Sequence, residues 1–222
     1  MSTSLPGTLT AAITGVDWND LAAVFAASDK LLNTLDDDRR LLTALTAQAL
    51  DNPHLRELCE HYDILDKIVL HDDPAGWRLR LHVFLPGYFD RPHNHRWTYV
   101  TRLLAGSYTH TLYGTDDQLG DSDDVDVAGL HPRSVRRETI GDTYVLHHTM
   151  IHAVTAAPHT TSLVVRGPAV KDRFLVTDRA TGKAWWQYGA ATEDPAAAAA
   201  KRMTRDQAAD RVEQLTDAGV LR

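Results

Sequence analysis

Between Asp17 and Leu35 the apolar residues Leu21, Val24, Phe25, Leu31, Leu32 and Leu35 recur at three- and four-residue steps, which predicts one or two amphipathic helices broken or capped at Ser28. Asp36, Asp37 and Asp38 put negative charge where a following helix N-terminus favours it, and Leu41, Leu42, Leu45, Ala49 and Leu50 form the next stripe. Asn52 and Pro53 read as a cap and a first helical residue, opening a short helix through Leu55, Leu58, Cys59 and Tyr62. The first sixty or so residues are therefore expected to be helical, with packing against the rest of the chain as their role. After Asp63 the period falls to two. Lys67 to His71 is a short β-rich run, and Trp77, Leu79, Leu81, Val83 and Leu85 alternate with Arg78, Arg80, His82 and Phe84. One face of that strand is apolar and the other polar. The polar face is either wet or turned into a barrel: solvent is expected for Arg78, while Arg80 and His82 fit both.

Trp97 to Leu104 and Ser107 to Tyr113 predict a hairpin turning at Ala105-Gly106. Gly114 to Gly129 is rich in aspartate and poor in apolar residues, which predicts a solvated loop; the glycine and terminal glutamate of a calcium-binding EF-hand loop are not in place. Further strands are expected at Ser134–Ile140, Thr143–His147, Ile151–Ala156, Thr161–Arg166, Arg173–Thr177 and Ala184–Tyr188, a series that means a sandwich or barrel. The alanine run 196–200 reads as helix or linker, Thr204 with Gln207 as a capping box, and Gly219 as the end of a final helix.

Composition narrows the function classes. The chain has 222 residues and a net charge of -7, and its basic residues are scattered, so neither nucleic acid nor membrane is an expected partner. One domain is expected, with a helical extension over 1–65, a barrel over 66–190 and a C-terminal helix over 191–222. A lone cysteine, Cys59, excludes an internal disulfide framework and reads as a buried structural thiol in a cytoplasmic protein. No run is long and apolar enough for a membrane span.

The chemistry lies in the histidines. His93 and His95, one residue apart in extended chain, point their rings the same way and are the first candidate metal ligands. A catalytic site needs a third ligand from another element and an open position. The stretch from Gly141 to Ala156 offers His147, His148 and His152, of which His152 suits a strand beside the first pair.

Spacing then adds a resemblance. Gly87, five residues, His93, one residue, His95, three residues, Tyr99, six residues, Gly106 resembles the first motif of the cupin superfamily, in which the Tyr99 position is usually glutamate. Gly141, five residues, His147, His148, Thr149, two residues and His152 resembles the second motif. The resemblance implies a mainly β protein, a cupin double-stranded β-barrel (jelly roll) over roughly 66 to 178, with the metal in the barrel mouth and helical additions at both ends. Two departures stand out: tyrosine replaces the acidic ligand, and His147 and Thr149 replace the proline and glycine of the second motif. The first implies a three-histidine centre of His93, His95 and His152, similar to that of the cysteine dioxygenase-like enzymes of the superfamily, without implying a thiol substrate.

A neutral three-imidazole shell leaves the metal its full charge and open positions for a chelating substrate and dioxygen. The expected function is a mononuclear non-haem iron(II) dioxygenase of a small polar metabolite, with zinc, nickel or copper as other metals the ligands suit. A redox-silent isomerase or lyase, and a metal- or small-ligand-binding protein without turnover, are the alternatives. Tyr99 shares the inward face of the pair and is a candidate to hydrogen-bond substrate or oxygen, or else a space filler. His147 and His148 point opposite ways, so at most one faces the cavity, with His147 the acid/base candidate. Arg80, His82, His110 and Arg166 are the candidate substrate-binding residues, the arginines for their bidentate grip on a carboxylate. Arg102 is expected in solvent, and the pair Trp185 and Trp186 in packing or a homodimer contact.

Overall fold

A computed structural model describes residues 5–87, 91–118, 125–189 and 192–222. Residues 88–90 of the first motif and 119–124 of the aspartate-rich segment lie outside the described residues. Four helices come first: α1 (Gly7–Thr14), α2 (Leu21–Asp37), α3 (Arg39–Asp51) and α4 (Pro53–Glu57). Asp20, Asp38 and Asn52 cap α2, α3 and α4 through side-chain oxygens, as short polar residues do at exposed helix starts. Ser28 neither breaks nor caps α2; it is buried within a continuous helix, because the apolar stripe runs unbroken past it. The last helix of the four ends at Glu57 rather than reaching Tyr62, since Glu60 and His61 leave to pair with the next strand.

The strands follow: β1 (Glu60–His61), β2 (Leu65–Asp72), β3 (Arg78–Phe84), β4 (Tyr99–Ala105), β5 (Ser107–Thr115), β6 (Ser134–Thr139), β7 (Thr143–Leu146), β8 (Met150–Ala156), β9 (Thr161–Arg166), β10 (Arg173–Asp178) and β11 (Lys183–Tyr188). One antiparallel sheet runs in the order β1-β2-β3-β9-β4-β7; a second has β6-β5-β8, and β10 pairs β11. His93 joins the last two groups, bridging to His152 on β8 and to Val176 on β10. The two layers enclose an interior, giving the double-stranded barrel. Two further helices, α5 (Pro195–Ala200) and α6 (Arg205–Asp217), close the chain, with the Thr204–Gln207 capping box formed as the spacing predicts.

The two faces of β3 settle how the barrel is filled. Leu79, Leu81 and Val83 point away from the second sheet and bury against Leu31, Leu32, Leu35, Leu42 and Leu45 of α2 and α3 in the main core. The alternate residues therefore face inward. Arg80 and His82 line the barrel, beside Lys67, which pairs His82 across β2. Arg78, expected in solvent, is instead half-buried and ion-paired to Asp72 at 2.5 Å. Arg102 is likewise not solvated: it pairs with Asp36 at 2.7 Å and donates to Gly141 O at 2.8 Å, tying α2 to the sheet. The aspartate-rich segment Gly114 to Gly129 is not wholly wet either, since Val125 and Val127 are buried. Cys59 is buried as expected, with its Sγ 3.3 Å from Leu55 O, and burial pushes its thiol pKa up. Trp186 packs under Arg173, 4.1 Å from the guanidinium carbon, whereas Trp185 is exposed. Among the described residues no helix is long and apolar enough to cross a membrane.

Candidate metal centre

His93, His95 and His152 converge: their ligand nitrogens lie within 4.8 Å of one another. The loop before β4 is held for this purpose by backbone and side chain together. His93 exchanges hydrogen bonds with His152 as a one-residue strand, N to O at 2.8 Å and O to N at 2.9 Å. Asn94, fully buried between the two histidines, accepts from Leu175 N at 2.8 Å and donates to Asp116 at 2.6 Å. Sequence reading missed Asn94. Its only signal was a polar residue between two ligands, which reads equally well as solvated.

The nitrogen assignments fit a metal. The ring of His93 donates through Nδ1 to Arg91 O at 2.9 Å, which leaves the Nε2 lone pair free. His152 Nδ1 meets His110 Nε2 at 2.9 Å, and His110 Nδ1 meets Glu138 at 3.4 Å. With protons directed from His152 to His110 to Glu138, His152 Nε2 keeps its lone pair and faces His95 Nε2 at 2.8 Å. Burial lowers the pKa of each ligand, and His93 lowers His95 and His152 further, as His95 does His152, so the rings are neutral donors. Two lone pairs so close repel unless a proton or a cation lies between them. A divalent cation suits this set, and imidazole ligation does not name which one.

Tyr99 lies beside the cluster, with its hydroxyl 3.5 Å from His152 Nε2 and its ring edge-on to His95 at 4.9 Å. Burial raises its pKa well above the ordinary value, so it stays a neutral phenol. Tyr144 stacks on His110 at 4.6 Å and hydrogen-bonds Tyr108 at 2.7 Å, which extends the aromatic wall. Tyr144 was also missed, because only the pairing of β7 with β4 brings it inward.

The other candidates are spread around this centre. Arg80 and Arg166 flank Trp97, their guanidinium carbons 5.4 and 5.0 Å from the ring, and Trp97 in turn lies 6.2 Å from His95. Arg166 donates to Gly76 O and Gly167 O at 2.8 Å. The Nε of Arg80, the Nε of Arg166 and His82 Nε2 are buried without a hydrogen-bond partner in the described protein. His110 stands behind His152 rather than in open space. His147 is outside the cluster; its Nδ1 faces Thr149 at 2.8 Å and its ring stacks on His148 at 3.9 Å, beside a cavity under α2.

These histidines make stability depend on pH. Burial holds His82, His93, His95, His110 and His152 below the ordinary 6.5, His110 down to about 4. The unfolded chain therefore binds more protons once pH drops below about 6.5, and the folded state loses ground at about 1.4 kcal/mol per pH unit for each such ring. Stability of metal-stripped protein is expected to hold above about pH 6.5 and fall steeply from there toward the folded pKa values. Urea melts between pH 7.5 and 5 check this; a midpoint that stays level would count against five buried neutral rings.

No family model and no curated protein matches the chain. Solved structures do. A Cellulomonas parahominis L-ribose isomerase aligns at 16% identity over 62% of this chain and 85% of its own, with a TM-score of 0.42. KdgF from Halomonas sp. aligns at 17% identity over 48% of this chain and 82% of its own, with a TM-score of 0.36. An RmlC-like cupin from Shewanella frigidimarina NCIMB 400 aligns at 14% identity over 51% of this chain and 86% of its own, also at 0.36. At likenesses this distant, the chemistry is a matter of this chain's own side chains.

Proposed function

We propose that the protein is a mononuclear non-haem iron(II) dioxygenase that oxidises a small anionic, metal-chelating metabolite. The observation that carries the reading is the donor set: three neutral imidazoles converge, and no carboxylate joins them among the described residues. Bound there, iron(II) would supply the redox chemistry with dioxygen that side chains lack.

The chain's own groups do the rest. Arg80 and Arg166, inside the barrel with unpartnered Nε atoms, attract and orient an anion. The hydroxyl of Tyr99 is placed to donate a hydrogen bond to a substrate or oxygen atom beside the centre. Packing around Tyr99, Leu103, Tyr108, Tyr144 and Leu146 keeps that interior dry, which strengthens each polar contact.

An oxygen-electrode screen of 2-hydroxy, 2-oxo and 2-mercapto acids with anaerobically iron-loaded protein tests the reading, with substrate-dependent oxygen uptake as the expected result. Turnover retained under strict anaerobiosis would transfer the protein to Lewis-acid isomerases or lyases. Tyr99→Phe is expected to leave metal content unchanged and lower kcat by about 10- to 100-fold, the loss of one hydrogen bond to a charged group. An unchanged kcat would make Tyr99 a space filler.

A further inference from the structure

At the β7 edge of the first sheet, beneath α2, the main core and the inner cluster of the barrel do not close on each other. Phe25 and Val145 pack against the main core, Leu112 and Met150 against the inner cluster, and Leu21 begins the helix above them. All five stay half-buried. Together with the buried Tyr144 and Leu146 they line a cavity of about 360 Å³, at the lower end of small-molecule pockets and suited to one ring with a short arm.

This cavity is separate from the metal centre. Leu112 lies opposite His152 in the β5–β8 ladder and Leu146 opposite Tyr99, so that these side chains and Met150 stand between the two spaces. None of the three histidines, Tyr99, Arg80 or Arg166 lines it. An occupant is therefore a molecule of its own.

Its polar side chains present donors. The Tyr144 hydroxyl is taken up by Tyr108 at 2.7 Å, which leaves Arg136 and His147. Arg136 uses only Nη2 within the protein, 2.8 Å from Glu138; its Nε and Nη1 have no hydrogen-bond partner among the described residues. His147 Nδ1 accepts from the backbone N–H of Thr149 at 3.4 Å, so the neutral ring carries its proton on Nε2. Burial lowers the pKa of this ring, which keeps it neutral. Among the described residues lining the cavity none is acidic.

We infer that the cavity under α2 is a second small-molecule site, independent of the metal, for an arylalkyl carboxylate whose ring lies among Leu21, Phe25, Leu112 and Met150 and whose carboxylate meets Arg136 and His147. The metal centre uses neither α2 nor His147, and this site gives both a part in ligand binding. It does not rest on iron or on dioxygen.

Calorimetry on the full chain, first stripped of metal and then loaded, tests this with 3-phenylpropionate, 3-phenylpropanamide and propionate. The aryl acid is expected to bind both forms alike, about 10- to 150-fold more tightly than propionate through burial of the ring. It should exceed the amide by about fivefold or more, because hydrogen bonds between charged groups are the stronger ones. Arg136→Gln should erase the preference for acid over amide, and continued amide binding would show the cavity intact. His147→Phe should weaken acid and amide alike, by about two- to tenfold, as loss of one neutral donor does. Leu21→Trp, which fills the cavity, should weaken the acid by at least about tenfold; Val145→Trp serves the same end if that variant fails to fold. No binding of the aryl acid at millimolar concentration, equal affinity for acid and amide, a preference that survives Arg136→Gln, affinity untouched by filling, or binding seen only with metal would each overturn the inference. Oxygen uptake enters none of these measurements, so failure of the dioxygenase reading is seen separately.

Discussion

His152→Ala is expected to reduce bound metal from about one ion per chain to below a tenth, the largest effect of any single change at this centre. His152 is the ligand on which the site closes: it is 3% exposed, 2.8 Å from His95 through Nε2, and fixed by backbone hydrogen bonds to His93. Removing it leaves two ligands and strips His110 Nε2 of its partner. His110→Ala makes the useful comparison. It removes only the group that orients His152, and loss of such an outer partner weakens metal binding by about 10- to 100-fold. Metal analysis after dialysis against a weak chelator, with circular dichroism to confirm folding, separates the two. Undiminished metal in folded His152→Ala would remove the basis of the three-histidine centre.

Gly106→Ala should be among the most destabilising single-methyl additions in the barrel. Gly106 turns the chain from β4 into β5 at φ +75, a conformation that costs a side-chain-bearing residue about 1–2 kcal/mol. Space is also lacking, because a Cβ there would lie 2.4 Å from Thr160 Oγ1 and 2.8 Å from Thr160 Cα. The Thr160 hydroxyl cannot simply swing away, since its one proton lies between Ala157 O at 2.8 Å and Ser107 O at 3.0 Å while its oxygen accepts from Ser107 N at 3.2 Å. Overpacking of this kind adds about 1–3 kcal/mol, for a total near 2–5 kcal/mol and a fall in Tm of roughly 5–15 °C. Gly182→Ala is the control: φ is +69 there with nothing within 4 Å of the added carbon, so only the backbone cost of about 1–2 kcal/mol applies. Thermal melts showing equal losses for the two variants would refute the steric part.

Local pattern carried a long way in this chain. Caps and stripes placed α2, α3 and α6, and period-two runs placed β3 to β11 within a residue or two, because these signals act over one or two turns or a few strand residues. The His93–His95 pair and its spacing to His152 were visible for the same reason: each motif is a short segment whose residues must share a face. The misses concern surroundings that local pattern does not show: Ser28 read as a break and Val125 as part of a solvated segment, yet both are buried, and Arg102 read as solvent-facing but ion-pairs with Asp36 on α2.

By itself, then, the sequence determined the elements, the two faces of each strand and the histidines able to ligate a metal. Which face became the inside was decided only in three dimensions. Alternation in β3 separates Leu79, Leu81 and Val83 from Arg80 and His82, but burial of apolar surface is equally favourable against a second sheet or against helices. Because α2 and α3 cover the leucine face, the arginine and histidine face closes the barrel, and the polar wall, the three-histidine centre and the apolar cavity under α2 follow from that choice.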